Sequence, residues 1–209
     1  MPTLALDVDG VLLDPDRAGL GHWTAALTEQ FGIERSQIDA AFFSRTWNDI
    51  IVGRRSVEAE LADALGRLGS NIDAESVLAC WFEADYVPFE ATFDLARRAG
   101  RAGHRVVLAT NQEHRRAEYL RRRIGAAIPI DQVLYSADLG HPKHDHRFFE
   151  LASERLGVAP RRSEVIFVDD AFHNVEVARS FGWQGVHATG DGAWRSEVAA
   201  LFGLETVND

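Results

Sequence analysis

The chain has 209 residues, of which 46% are hydrophobic and 26% charged, a composition typical of a folded globular protein. Its formal net charge of −10 argues against a nucleic-acid backbone or an anionic membrane as the main partner. The single cysteine, Cys80, excludes a disulfide within the chain. No run reaches the roughly 18 apolar residues of a membrane span, and the first residues do not resemble a signal peptide. We therefore expect a cytoplasmic protein.

Short β-type runs alternate with helical patterns along much of the chain. Five strands are predicted, at residues 3–8, 104–110, 131–136, 163–170 and 183–188. Helical patterns separate the later strands, at residues 113–125, 147–157 and 174–182. This alternation predicts the α/β class, with a Rossmann-like, doubly wound parallel sheet covered by helices on both faces.

One long interval interrupts this alternation. Residues 16–88 contain no convincing strand, and four helical patterns occupy most of the interval. A helical insertion after the first strand is a candidate lid over the carboxyl end of that strand, where ligands of open α/β sheets bind. We therefore predict a core domain of residues 1–15 and 89–209, and a small α-helical cap domain of residues 16–88.

The first strand ends in two acidic residues. In the run LALDVDGVLLD, Asp7 and Asp9 follow an apolar segment that is typical of a buried strand. Two neighbouring carboxylates raise each other's pKa, so a positive group is expected opposite them. Gly10 allows the backbone to bend, which would let both carboxylates reach one site.

The other strand ends also carry polar residues of particular types. In a doubly wound sheet, the carboxyl ends of the strands converge on one crevice. The residues predicted to meet there are Asp7, Asp9, Thr110, Asn111, Lys143, Asp169, Asp170 and Asn174.

This set of side chains has a consistent chemical interpretation. Carboxylates without histidine or thiol partners form a hard oxygen site that suits Mg²⁺. Thr110 and Asn111 could bind phosphate oxygens, or could simply cap the following helix. Lys143 supplies a compact positive charge for the same phosphate, and a free carboxylate could attack phosphorus to form an aspartyl-phosphate.

The motifs resemble those of the haloacid dehalogenase-like hydrolase superfamily. DVDGV is similar to its first motif, ATN to the second, Lys143 to the third and VDDAFHN to the fourth. The resemblance spans nearly the whole chain, and the insertion resembles the helical cap of the first structural subclass. Within the superfamily, the chain looks most like the sugar-phosphate phosphatases near α-D-glucose-1-phosphate phosphatase and the N-terminal phosphatase domain of soluble epoxide hydrolase.

The resemblance implies a role for each matching residue. Asp7 would be the nucleophile, and Asp9 would protonate the leaving oxygen and later activate water. Mg²⁺ would be held by the Asp7 carboxylate, the Asp9 backbone carbonyl and the Asp170 carboxylate. The phosphoryl group would be bound by Thr110 and Asn111 and neutralised by Lys143. The residues supporting the metal site would be Asp169 and Asn174.

The resemblance therefore implies a Mg²⁺-dependent phosphatase for a small phosphorylated metabolite, such as a sugar phosphate. A phosphomutase of the β-phosphoglucomutase kind shares all four motifs. A 2-haloacid dehalogenase of the same superfamily is disfavoured by Asp9 and by the pair Asp169 and Asp170. A non-enzymatic phospho-receiver is disfavoured by the order of the motifs. The oligomeric state stays open.

Three further features have weaker functional interpretations. The triplet His141, His144 and His146 is rich in potential metal ligands, but no supporting ligand cluster appears elsewhere, and its role stays open. Residues 46–55 (TWNDIIVGRR) are the candidate for substrate selection. The arginine-rich run 115–123 is interpreted as a solvated helix face.

Overall fold

The computed structural model describes residues 2–14 and 22–204. Within these residues, five parallel strands form one sheet in the order β3-β2-β1-β4-β5. The strands are β1 (Thr3–Leu6), β2 (Arg105–Thr110), β3 (Gln132–Tyr135), β4 (Val165–Asp169) and β5 (Gln184–His187). The predicted doubly wound α/β fold is confirmed.

The central strand, β1, is shorter than its sequence pattern predicts. It pairs with β2 and β4 over Thr3–Leu6 only. Beyond it the backbone turns, because the Val8 carbonyl accepts hydrogen bonds from the amides of Leu12 and Leu13 at 2.9 and 2.8 Å. The turn therefore begins at Val8, while the Asp7 amide still donates to the Val168 carbonyl of β4 at 2.9 Å.

Helices cover the sheet and form the insertion. They are α1 (His22–Phe31), α2 (Arg35–Ile38), α3 (Ser44–Ile50), α4 (Val57–Arg67), α5 (Ala74–Ala84), α6 (Glu90–Arg101), α7 (His114–Gly125), α8 (Ser136–Leu139), α9 (His146–Leu156), α10 (Phe172–Phe181) and α11 (Trp194–Leu201). A π-helical turn, Asp39–Phe43, joins α2 to α3. The sequence pattern did not predict α6, although the buried Phe93, Ala96 and Ala99 of this helix have helical spacing. It also did not predict α11.

Two hydrophobic clusters hold the helices to the sheet. Alternate residues of β1 divide between them: Leu4 and Leu6 belong to one cluster, and Ala5 belongs to the other. This alternation is the period of two that a strand imposes. Both faces are apolar because helices cover both of them, as is usual for a parallel sheet.

The helices of residues 22–84, here called the helical insertion, have a third hydrophobic cluster of their own. The chain segments that lead into and out of the insertion run side by side. The Asp14 amide donates to the Val87 carbonyl, and the Phe89 amide donates to the Leu12 carbonyl, each at 2.8 Å. Tyr119 of α7 packs against both the insertion cluster and one sheet cluster. The division into a core and a cap domain at residues 15/16 and 88/89 stays a prediction.

Across residues 2–14 and 22–204, no helix combines the length and apolar character needed to cross a membrane.

Candidate active site

A tight turn places Asp7 at the carboxyl end of the central strand. The Asp7 side chain is 9% exposed, and its Oδ1 accepts a hydrogen bond from the Val8 amide at 2.7 Å. Gly10 in the same turn has φ of +81°, and a Cβ on it would lie 2.3 Å from the Asp170 carboxylate carbon. The turn therefore requires glycine, both for its left-handed backbone and for the close approach of Asp170.

Lys143 lies between two buried carboxylates. Its Nζ is 2.6 Å from Asp7 Oδ2 and 2.7 Å from Asp169 Oδ2, and its side chain is 2% exposed. Burial by itself would lower the pKa of Lys143, but the two carboxylates outweigh it and raise that pKa above its ordinary value. The ammonium is therefore charged, and it is the positive group that the sequence analysis expects opposite Asp7.

Asp169 is fixed by the start of the next helix. Its Oδ1 accepts a hydrogen bond from the Ala171 amide at 2.8 Å, and Asn174 Nδ2 is 3.2 Å from both of its carboxylate oxygens. Asp169 itself is fully buried. Asn174 thus holds Asp169, and Asp169 in turn holds Lys143.

Three carboxylates gather at this edge of the sheet. Asp7, Asp169 and Asp170 can each offer one oxygen, and these oxygens lie within 4.8 Å of one another. Burial raises the pKa of Asp7 to about 7; Lys143 opposes the rise, and the charge of Asp169 adds to it. The pKa of Asp170 is also raised, first by burial and then by Asp169.

The composition of this acid cluster fits a divalent cation. Its ligand atoms are all carboxylate oxygens, which is the donor set of Mg²⁺ sites. Lys143 pairs with Asp7 and Asp169, and no ion pair from the described residues reaches the Asp170 carboxylate. The three carboxylates, balanced by one ammonium, leave an excess negative charge that a cation would relieve. Asp7 and Asp170 are the residues that could hold the cation, because Asp169 is already bound by Lys143, Asn174 and the Ala171 amide.

Thr110 is the last residue of β2, and Asn111 directly follows it. Thr110 is 2% exposed, and Asn111 Oδ1 accepts a hydrogen bond from the Lys143 amide at 2.9 Å. Neither residue caps α7. That helix is capped by Glu113, whose carboxylate accepts hydrogen bonds from the amides of Arg115 and Arg116.

The carboxylate of Asp9 is not a member of the acid cluster. Its two oxygens each accept a hydrogen bond from the guanidinium of Arg116, at 2.8 Å, and Gln112 Nε2 donates to Asp9 Oδ2 at 2.8 Å. Burial acts to raise the pKa of Asp9, but the Arg116 guanidinium and its hydrogen bonds outweigh it and hold the pKa below its ordinary value. The Asp9 side chain is 39% exposed.

Arg116 is a site residue whose predicted location is wrong. As part of the run 115–123 it is expected to face solvent, yet it is only 6% exposed. The signal was its spacing: Arg116 precedes the buried Leu120 and Ile124 by four and eight residues on α7. Its neighbour Arg115 points outward and pairs with Glu58 and Glu75.

A second acid approaches Arg116 from the helical insertion. Asp85 directly follows α5, and its Oδ2 lies 3.9 Å from Arg116 NH2. The same oxygen accepts a hydrogen bond from Trp81 Nε1 at 2.8 Å, and Asp85 Oδ1 accepts one from the Trp23 amide at 3.2 Å. The guanidinium therefore lies between an acid of the turn after β1 and an acid that directly follows the helical insertion.

The histidine triplet does not form a metal cluster. His141 Nδ1 is 2.8 Å from Asp145 Oδ2, and His146 Nε2 is 3.1 Å from Ser180 Oγ on α10. Asp7, Asp169 and Asp170 are the one group of potential metal ligands found in the described part of the chain. The triplet therefore gains no metal-binding role from the structure.

Residues 46–55 lie where the helical insertion meets the core. Ser136 Oγ donates to the Ile51 carbonyl at 2.6 Å and accepts a hydrogen bond from the Gln112 amide at 3.0 Å. A Cβ on Gly53 would lie 2.3 Å from the Ala137 carbonyl oxygen. Trp47 packs against Phe43 and Trp81 within the insertion, with ring centroids 5.1 and 5.7 Å apart. The segment therefore contacts the core directly, while its role in substrate selection stays a prediction.

Comparisons with known proteins agree with this architecture. The family profile of haloacid dehalogenase-like hydrolases matches residues 1–182. A search of curated proteins found no match. A predicted haloacid dehalogenase-like (HAD-like) family hydrolase from Porphyromonas gingivalis has a TM-score of 0.76 at 18% identity, over 98% of this chain and 99% of that chain.

Two further solved structures share the fold. A HAD family enzyme from Bacteroides thetaiotaomicron, solved with magnesium and inorganic phosphate, has a TM-score of 0.68 at 17% identity, over 90% of this chain and 93% of that chain. An L-2-haloacid dehalogenase has a TM-score of 0.63 at 20% identity, over 90% of this chain and 84% of that chain.

The fold and the family match together define a hydrolase of the α/β class with a Rossmann-like core and with acidic side chains at the carboxyl end of the sheet. The chain belongs to the haloacid dehalogenase-like hydrolases. The resemblance drawn from its four motifs is thereby confirmed at the level of the superfamily.

Proposed function

We propose that the protein is a Mg²⁺-dependent phosphatase that hydrolyses a small phosphomonoester through an aspartyl-phosphate. One observation carries the proposal: the buried Asp7 carboxylate lies against Lys143 and belongs to an oxygen-only acid cluster with Asp169 and Asp170. Attack on a phosphoryl group requires a nucleophile and positive charge close to it. Here the nucleophile would be the Asp7 carboxylate, and the positive charge would come from the ammonium of Lys143 and a cation at the acid cluster.

In the first step, an Asp7 carboxylate oxygen forms a bond to phosphorus, and the bond between phosphorus and the ester oxygen breaks. The leaving alkoxide takes a proton from Asp9 and departs as an alcohol. In the second step, Asp9 takes a proton from water as the water oxygen attacks phosphorus. The bond between phosphorus and Asp7 then breaks, which releases inorganic phosphate and restores the Asp7 carboxylate.

Each remaining residue supports one part of this two-step reaction. Lys143 neutralises the phosphoryl oxygens while keeping Asp7 in place, and Asn111 fixes the backbone of Lys143. Thr110 offers its hydroxyl at the end of β2. A bound Mg²⁺, held by the carboxylates of Asp7 and Asp170 and the backbone carbonyl of Asp9, would supply charge neutralisation and orientation for the phosphoryl group.

Two observations favour a phosphomonoester over a haloacid as the substrate. Asp9 gives the site a second carboxylate for proton transfer, and displacement of a halide needs no proton donor. The acid cluster suits a cation that would bind a phosphate. The L-2-haloacid dehalogenase shares the fold, and at 20% identity that likeness extends to the fold alone.

We propose a small phosphorylated metabolite, such as a sugar phosphate, as the physiological substrate. The motif resemblance to sugar-phosphate phosphatases supports this choice. The net charge of −10 supports a partner that is neither a nucleic acid nor an anionic membrane, and we propose that the protein acts in the cytoplasm.

The first prediction concerns metal dependence and the nucleophile. Release of phosphate from para-nitrophenyl phosphate should cease in EDTA and return with Mg²⁺. Asp7→Asn should lower kcat by at least about 10⁴-fold, because it removes the attacking oxygen charge. The measurement is phosphate release, together with borohydride trapping of the phosphoenzyme.

A matched control is Asp63→Asn, which changes an exposed aspartate that pairs with Arg67. This variant should keep full activity. Full activity of the metal-free protein would refute the proposal, as would a trapped phosphoenzyme in Asp7→Asn. Conversion of a sugar 1-phosphate into its 6-phosphate without phosphate release would identify a mutase instead.

A further inference from the structure

The carboxylate of Asp9 is held by a buried arginine through a two-point contact. Arg116 NH1 and NH2 each donate to a different Asp9 oxygen at 2.8 Å, and the Arg116 side chain is 7% exposed. Gln112 joins the pair, because it donates to Asp9 at 2.8 Å and accepts from Arg116 NH1 at 3.2 Å. A bidentate contact of this kind fixes both the place and the plane of a carboxylate.

We propose that Arg116 is a positioning residue for the reaction, which fixes the place and the plane of the Asp9 carboxyl group, the group to which the proposed function assigns proton transfer. The inference rests on the proposed function, since it gives Asp9 the acid–base role. The chemistry demands such orientation, because proton transfer occurs only when the acid lies within hydrogen-bond distance of the reacting oxygen.

The location of Asp9 explains why it needs a support. It belongs to a turn rather than to the sheet, and its side chain is partly exposed, so the ladder of β1 does not fix it. Arg116, in contrast, lies in the first turn of α7, where its amide is capped by Glu113 and its side chain is buried. A rigid helix therefore supplies the orientation that the turn lacks.

Burying the charged side chain of Arg116 costs free energy, and packing alone does not explain why it is buried. Replacing a buried ion pair with apolar residues is often neutral or stabilising, so stability alone is a weak reason for the pair. Arg116 Nε is buried without a hydrogen-bond partner among the described residues, which adds to the cost. The position of the guanidinium thus serves the hydrogen bonds of its two terminal nitrogens, and Asp9 accepts a hydrogen bond from each of them.

Asp85 extends this support to the helical insertion. Its carboxylate lies 3.9 Å from Arg116 NH2 and is itself held by Trp81 Nε1 of α5. Arg116 therefore takes its position from the core helix on one side and from the end of the insertion on the other. A shift of α5 relative to α7 would be transmitted to Asp9 through one guanidinium.

The test uses Arg116→Met and Arg116→Lys with two substrates, an alkyl phosphate with a poor leaving group and para-nitrophenyl phosphate with a good one. Arg116→Met should lower kcat on the alkyl phosphate by about 10- to 100-fold, part of the 10²- to 10⁴-fold that acid–base catalysis supplies. The loss on para-nitrophenyl phosphate should be smaller, and KM should change little. Arg116→Lys should be intermediate, since a lysine keeps the charge but not the fork.

A double-mutant cycle with Asp9→Asn gives the second readout. If Arg116 acts through Asp9, Arg116→Met should have little further effect once Asp9→Asn is present. Arg115→Met is the matched control, because it makes the same change at the adjacent position on the exposed face of α7. It should leave both kcat values unchanged, and thermal unfolding should show that all variants are folded.

Two results would overturn the inference. Equal losses on both substrates, or full additivity with Asp9→Asn, would show that Arg116 does not act through Asp9. A raised KM together with weaker inhibition by inorganic phosphate, persisting in Asp9→Asn, would show that Arg116 binds the phosphoryl group itself. If the wild-type protein hydrolyses neither phosphate, the proposed function fails instead.

Discussion

At the scale of single residues, Lys143 is notable because it is the only lysine in the chain, beside 21 arginines. Its Nζ lies within 2.7 Å of two carboxylates, from Asp7 and Asp169. A compact ammonium can contact both at once and still face a phosphate oxygen. A guanidinium is wide and planar, and its forked donors suit one carboxylate rather than a site shared by several groups.

We therefore predict that Lys143→Arg lowers kcat/KM for para-nitrophenyl phosphate by at least about tenfold, or ~1.4 kcal/mol of transition-state stabilisation. The net charge is unchanged, so the loss would come from geometry. Far-UV circular dichroism should show a folded protein. Kinetics close to wild type would contradict the prediction and would mean that only the charge matters at this position.

How far the site could be predicted from sequence also depends on particular residues. Asp7, Asp169 and Lys143 follow or precede recognisable strands and helices, and the carboxyl ends of parallel strands share one edge, so their meeting was predictable. Arg116 lies among several arginines on one helix. Only the packing of α7 against the rest of the molecule distinguishes the buried arginine from the exposed ones.

At the scale of elements, the contact between residues 51–53 and α8 joins the helical insertion to the core. Gly53 has φ of +74° and lies directly against the Ala137 carbonyl, while Ser136 donates to the Ile51 carbonyl. Because Ser136 also accepts a hydrogen bond from the Gln112 amide, this contact reaches the loop that follows β2. A change in this contact should therefore alter the geometry of the candidate active site.

Gly53→Ala tests this contact against a control with the same backbone conformation. Gly69 has φ of +70° and open space around its Cα, so Gly69→Ala carries the conformational strain without the steric clash. Gly69→Ala should lose about 1–2 kcal/mol of stability in chemical unfolding from backbone strain alone, and Gly53→Ala should lose more because its Cβ also clashes with the Ala137 carbonyl. Only Gly53→Ala should also lower kcat/KM, by several-fold. Equal activity in the two variants would show that the contact does not influence the site.

Predictability at this scale depends on how each element ends. The strands β2 to β5 lie inside their predicted segments, because apolar runs between polar clusters mark them clearly. The end of β1 was not predictable from its pattern, since the apolar sequence continues through a turn that Gly10 makes possible. The helices α6 and α11 border the sheet without strong capping residues: neither has a side-chain cap hydrogen bond.

At the scale of the whole molecule, the hydrophobic residues fall into separate clusters. Two lie on the faces of the sheet, and the third lies within the helical insertion. Phe42, 1% exposed, belongs to the insertion cluster, and Phe148, fully buried, belongs to a sheet cluster. The chain crosses between the two regions at the paired segments 12–14 and 87–89.

If the insertion is a domain, a cavity in it should loosen only that part. Phe42→Ala should cost about 3–5 kcal/mol and accelerate amide hydrogen exchange within residues 22–84, while the sheet stays protected. Phe148→Ala is the converse control and should accelerate exchange in the strands. Uniform acceleration by Phe42→Ala would show that the two regions open as one unit, and would contradict the domain division.

The position of β1 in the middle of the sheet has a consequence for how the protein is made. Its hydrogen-bonded partners, β2 and β4, lie roughly 100 and 160 residues further along the chain. During synthesis, the central strand therefore leaves the ribosome well before either neighbour. Its edge toward β2 stays unpaired until residue 110 has emerged, and its edge toward β4 until residue 169 has emerged. The helices of residues 22–84 face no such delay, since their cluster is complete within their own segment. The nascent chain can thus bury the hydrophobic cluster of the insertion first, before β1, which precedes Asp7, has both of its neighbouring strands.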